Sequence, residues 1–234
     1  MCASRMNVMR KIIHKWRKFF NYSEPTDNHE EVWCGSANYW DRRYERGGNS
    51  GAGSYHRLAE YKAEILNGFV TENNVKLVIE WGCGDGNQLS YANYPDYVGI
   101  DVSSAAIDIC KAKFQQDKHK SFFWSGVPNF QISQKGDLAI SLDVIYHLVE
   151  DSVFEQYMRR LFDSSLRFVV IYSCDDEIDC LAPHVKHRCF SKWIEKNEPN
   201  WTLMKTIKNK FPYDESDPDN TSWSDFFFYR IKAS

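Results

Sequence analysis

The stretch that most restricts the fold is VKLVIEWGCGDGNQL, followed roughly 20 residues further on by YVGIDV. A short apolar run, Val75 to Ile79, enters a turn with glycines at alternate positions, Gly82, Gly84 and Gly86, and the chain is expected to continue toward Leu89 as a helix. Such glycines let the backbone turn tightly after a strand and let a ligand approach the amides, where a Cβ would obstruct either. The second run ends at Asp101, and an acid at that place can accept both hydroxyls of a ribose.

The surrounding chain alternates strand-like and helix-like segments from about residue 55, the signature of a parallel α/β sheet. SYHRLAEYKAEILNGFV carries Leu58, Tyr61, Ile65, Leu66, Phe69 and Val70 on one helical face. SSAAIDICKAKFQQ opens on Ser103 and Ser104 as hydroxyl caps. SFFWS, DLAISLDV and RFVVIYS read as further strands, with a helix in DSVFEQYMRRLF. FSKWIEKN is a helix, and WTLMKTI and DFFFYRI are the last two strands, separated by the exposed loop PYDESDPDNTS.

The charges of the glycine turn indicate which nucleoside it takes. A dinucleotide fingerprint is G-x-G-x-x-G, because a pyrophosphate must sit on the helix amides. Here the run is G-x-G-x-G, with Glu80 before it and Asp85 inside it. Two carboxylates repel a diphosphate and suit a ligand bearing an ammonium or sulfonium.

These residues resemble the class I S-adenosylmethionine-dependent methyltransferases: EWGCGDG is similar to their first motif, GIDVS to their second and DLAISLDVIYHL to their fourth. The resemblance covers about residues 55–232 and implies an α/β, Rossmann-like seven-stranded, mostly parallel sheet with helices on both faces and the last strand antiparallel. YWDRRYERGGNSGAGSYHRLAEYKAEIL and HVKHRCFSKWI are similar to bacterial members associated with surface-polysaccharide or capsule modification. It implies S-adenosylmethionine as cofactor, with Glu80, Gly82 and Gly84 at its methionine end, Asp101 on the ribose and Val102 against the adenine. Asp85 and Gln88 are further candidates at the same turn, and Leu142 and Asp143 would lie near the methyl group. Many relatives place an acid after the third strand to hold the adenine; here that position holds Trp124-Ser125-Gly126.

Methyl transfer is an in-line displacement, in which the protein positions, excludes water and, for an alcohol acceptor, removes a proton. Candidate bases are His147, then His184 and His187 of HVKHR, with Asp143 as partner or base and Tyr146 as an ambiguous neighbour. The expected function is O-methylation of a small hydroxylated or phosphorylated acceptor, such as a sugar, a nucleotide sugar or a capsular intermediate. Alternatives are N-methylation of an amine, a nicotinamide-dependent oxidoreductase, or a non-catalytic cofactor-binding protein. No metal site is expected, since H-x-x-H lacks a third ligand.

GGNSGAGS, before the leading helix, imitates a phosphate loop but has no following lysine. It reads as a lid, with Tyr39, Arg43, Gly51, Gly53 and Ser54 as lid or acceptor contacts. Arg42, Arg43 and Arg46 would attract an anion, either the cofactor carboxylate or a group on the acceptor, and Ser54 would cap the helix.

The chain of 234 residues is 43% hydrophobic, enough for one substantial core, and its net charge of -3 offers no global basic field for a nucleic acid. The seven cysteines form no C-x-x-C pair, which with the lack of a secretory pattern favours the cytoplasm. The expected organisation is a basic amphipathic helix over 1–22, a linker and lid over 23–54, and the methyltransferase domain over 55–234. The basic helix is a candidate contact with the inner membrane surface or with a second copy of the chain.

Overall fold

The computed structural model of the chain describes residues 33–178 and 182–232. The basic segment 1–22 lies outside the described residues. Among the described residues no helix is long and apolar enough to cross a membrane.

Strands β1 (Leu77–Trp81), β2 (Asp96–Asp101), β3 (Lys120–Trp124), β4 (Gly136–Leu142), β5 (Ser165–Ser173), β6 (Trp201–Ile207) and β7 (Asp225–Ile231) form one sheet in the order β3-β2-β1-β4-β5-β7-β6. The first five pair in parallel, and β7 runs antiparallel to both β5 and β6. Order reverses beside β1: the chain goes outward to β2 and β3, then returns to β4. In open α/β sheets a crevice opens at such a reversal, at the carboxyl ends of the strands.

Alternation along the strands divides the core between the two faces of the sheet. Val78, Tyr97, Leu138, Ile140, Val170 and Phe228 pack with Leu66, Phe69 and Val70 of α2 (His56–Glu72) and Ile107 of α3 (Ser104–Lys113). Ile79, Val98, Ala139, Val169 and Ile171 pack with Phe154, Met158 and Leu161 of α4 (Asp151–Asp163) and Phe190 and Ile194 of α5 (Phe190–Asn197).

Four local features differ from the pattern reading. No full helix follows the glycine turn; a single 3₁₀ turn, Gln88–Tyr91, stands there, and Pro95 forces extended backbone ahead of β2. This short connection is docked on α2, where Asn67 Oδ1 accepts from the Asn93 amide and Asn67 Nδ2 donates to the Tyr91 carbonyl. Part of the segment read as linker is helical: α1 (Ser36–Glu45) buries Tyr44 and is tied to α3, Ser103 Oγ donating to Asp41 Oδ1 at 2.7 Å. Ser103 alone caps α3, accepting from the Ala106 amide, while Ser104 is its first helical residue. Ser54 does not cap α2: it ends a 3₁₀ turn, and Tyr55 occupies the cap position without a side-chain capping bond.

Candidate active site

The glycine turn is held against β2 by the amides of Gly82 and Cys83, which both donate to the Ile100 carbonyl. Gly82 has φ +80°, and a Cβ there would come within 2.4 Å of Val144 Cγ2; at Gly84, φ +54°, it would come within 2.3 Å of Ser50 Oγ. Neither position has room for a side chain. The Gly84 amide donates to Asp101 Oδ2 at 2.9 Å, and the Ser103 amide donates to Asp101 Oδ1 at 2.9 Å. One carboxylate thus ties the turn after β1 to the end of β2.

Glu80 and Asp101 are both buried. Burial pushes the Asp101 carboxyl up to about 6 against the pull of the backbone amides. Burial also pushes Glu80 up to about 7, opposed by the Tyr97 hydroxyl, which donates to Glu80 Oε2 at 2.6 Å, and by the Lys62 charge; Asp101 adds to the rise. Each carboxylate is stabilised by any positive ligand that replaces the missing solvent.

A cavity of about 270 Å³ opens at the ends of β1, β2 and β4. Glu80, Gly82, Gly84 and Asp101 border it, as do Gln88, Val102, Leu142 and Asp143. Its far wall is Trp81, Tyr157 and Arg160, side chains that the sequence motifs did not single out. Tyr157 is fixed there by donating to the Trp81 carbonyl at 2.8 Å. Gln88 is buried and donates Nε2 to the Ala59 carbonyl, while its Oε1 has no hydrogen-bond partner among the described residues. At the end of β3, where the resemblance implies the adenine contact, Ser125 borders the cavity and Trp124 donates its indole N–H to the Val102 carbonyl.

Asp85 has a different place. It accepts from the Ser50 amide, the Tyr55 hydroxyl and the Asn87 amide, and its own amide donates to Ser50 Oγ. The glycine-rich segment is thereby latched over the turn, with Tyr44 Oη 2.9 Å from Ser50 Oγ. Ser54 borders the main cavity, and Gly51 and Gly53 border a side chamber of about 30 Å³ that shares Trp40, Ser50, Asp143 and His147 with it.

The candidate bases gather unevenly around this chamber. Asp143, at φ +59°, accepts from Lys62 Nζ at 2.8 Å, from Ser224 Oγ at 2.9 Å and from Tyr146 Oη at 3.1 Å. Lys62 is completely buried, a site residue the motif reading passed over. His147 Nδ1 lies 3.1 Å from the His184 carbonyl, so Nδ1 carries the proton and the lone pair resides on Nε2. His184 stacks between Tyr39 at 4.5 Å and His147 at 5.8 Å. Burial holds both imidazoles neutral, His147 well below its ordinary range and His184 at about 4, and the Arg43 charge acts in the same direction. His187 is 5.8 Å from Tyr146 but borders a separate hollow with Asp151 and Trp193.

Known structures with the same architecture include methyltransferases. The methyltransferase domain of bacterial CtHen1-C is 20% identical over 76% of this chain and 100% of that one, with a TM-score of 0.60. The N-methyltransferase NodS from Bradyrhizobium japonicum WM9, in complex with S-adenosyl-L-homocysteine, is 14% identical over 85% and 100%, with a TM-score of 0.62. Magnesium protoporphyrin IX methyltransferase from Synechocystis PCC 6803 with bound S-adenosylhomocysteine is 13% identical over 94% of each chain, with a TM-score of 0.57. No protein-family model and no curated protein sequence matches the chain. The likeness is one of fold, and the fold is that of the class I S-adenosylmethionine-dependent methyltransferases.

Proposed function

We propose that the chain is an S-adenosylmethionine-dependent methyltransferase acting on an oxygen of a small acceptor. The observation that carries this reading is the cavity at the sheet's switch point, where two buried carboxylates, a side-chain-free glycine turn and the orphaned Gln88 Oε1 converge. Glu80 matches a positive charge, Asp101 a pair of ribose hydroxyls, and Val102 and Trp81 an aromatic base. When bound, the cofactor supplies an activated methyl group. The chain's own residues hold the donor and acceptor together and exclude water, the main requirements of a displacement at carbon. Candidate acceptors are sugars, nucleotide sugars and capsular intermediates. A hydroxyl acceptor also needs a base, and His147, the imidazole shared by cavity and chamber, is a weak one.

Mass spectrometry of ligand released from the purified protein is expected to show S-adenosylmethionine or S-adenosylhomocysteine, and calorimetry is expected to show binding of the latter. Bound nicotinamide dinucleotide, or no binding of S-adenosylhomocysteine, overturns the reading.

The same titration across pH has a definite sign. Glu80 faces Tyr97 and Asp101 of β2 and Lys62 of α2, and it must be ionised to match a cation. As the pH falls below about 7, protonation of Glu80 competes with the ligand, and affinity is expected to fall by up to about tenfold per unit. Glu80→Gln is expected to remove this step, leaving only a weaker dependence near 6 from Asp101. An unchanged pH profile in the variant rules out Glu80 as the charge partner.

A further inference from the structure

We infer that the acceptor is a carboxylic acid, held by Arg43 in the side chamber and methylated on a carboxylate oxygen. This rests on the methyltransferase reading and names its substrate class.

Arg43 borders the side chamber and does not border the main cavity. That placement assigns its charge to the acceptor side. Among the described residues its guanidinium makes one hydrogen bond, from Nε to the Asn49 carbonyl at 2.7 Å, which leaves both Nη groups for a ligand. A planar guanidinium fork matches a carboxylate. The chamber, about 30 Å³, has room for about two water molecules, the bulk of one carboxyl group.

The other charge in the chamber does not cancel Arg43. Asp143 is already compensated by Lys62 and further held by Ser224 and Tyr146. The other polar walls are the hydroxyls of Tyr39, Ser50 and Tyr146 and the imidazoles of His147 and His184, which burial and Arg43 itself keep neutral. Of the described residues lining the chamber Arg43 is the one lysine or arginine, and the lining carboxylate, Asp143, is paired with Lys62 and so does not answer its field. That field opposes a protonated amine and favours an anion.

The reaction chemistry agrees with the field. An alcohol or an ammonium must lose a proton, and the chamber offers two weakly basic imidazoles and the Asp143 carboxylate, which Lys62, Ser224 and Tyr146 already engage. A carboxylate has no proton to lose. Its oxygen supplies an electron pair to the methyl carbon of a sulfonium donor, the carbon–sulfur bond breaks with its pair returning to sulfur, and a neutral ester and thioether result. No proton moves and no base is needed.

Two measurements test this on the full chain. First, protein saturated with S-adenosylhomocysteine is titrated with sodium acetate, acetamide and methylammonium chloride, followed by NMR. Acetate is expected to bind best, at least tenfold more weakly in Arg43→Met and with partial recovery in Arg43→Lys. Stronger binding of methylammonium, no acetate binding, or no effect of Arg43→Met overturns the proposal. Second, label transferred from methyl-tritiated S-adenosylmethionine to a small-molecule cell extract is treated with alkali. Release of volatile labelled methanol is expected, because carboxyl methyl esters are base-labile. Alkali-stable label, or no label from a protein that binds S-adenosylhomocysteine, overturns the carboxylate assignment; failure to bind S-adenosylhomocysteine instead removes the methyltransferase reading.

Discussion

Replacing Lys62 by methionine is expected to lower the unfolding free energy by about 3–5 kcal/mol, the cost of removing one partner from a buried ion pair. Lys62 is completely buried, and its Nζ lies 2.8 Å from Asp143 Oδ2 and 5.2 Å from the centre of the Tyr172 ring. Without it, Asp143 keeps two hydroxyl donors and loses its paired cation, on a cavity wall where its side chain is 11% exposed. Urea unfolding at neutral pH measures the loss. The double variant Lys62→Met with Asp143→Asn removes the stranded charge, and asparagine tolerates the left-handed backbone at that position. It is expected to recover at least half of the lost stability. A single-variant loss below about 1 kcal/mol, typical of a surface pair, would show that the pair is solvated and not a buried element of the site.

Asp101→Ala is expected to weaken S-adenosylhomocysteine binding by roughly a hundredfold, because two hydrogen bonds to a charged acceptor at about 1.5 kcal/mol each sum to about 3 kcal/mol. The same carboxylate also holds the Gly84 and Ser103 amides, so a loss of affinity alone does not separate ribose binding from loop support. The ligand's 2′,3′-dideoxy analogue separates them. Binding of that analogue is expected to be weak in the unaltered protein and little weaker in Asp101→Ala. Equal additional losses with both ligands would place the effect in the loop and leave the ribose without its partner.

The sequence exposes the sheet and hides parts of the site for physical reasons. Strands buried on both faces must be continuous apolar runs, so β1, β4 and β5 stand out, and α5, β6 and β7 have the bounds their patterns imply. The helix expected after the glycine turn is missing because Pro95 and a short connection leave it no length, a limit that periodicity does not register. α1 escaped notice because its few inward residues, Ser36 and Tyr44 among them, make no apolar stripe. Lys62 was legible in principle: it falls between Leu58 and Leu66 at spacings of four, a cation within the apolar stripe of α2. Such a residue has to meet an anion, and nothing in the chain's local pattern says that the anion is Asp143.

The reduced turn after β1 has one more consequence. A helix starting at a glycine turn points the positive end of its dipole at the ligand, and that field is independent of pH. In this chain a single 3₁₀ turn stands in that place, and the charged groups bordering the cavity nearest the turn are the side chains of Glu80 and Asp101. Those are groups that gain and lose protons in the range cells occupy. On the proposed reading, a preference for a cation would follow the surrounding pH rather than be built permanently into the backbone.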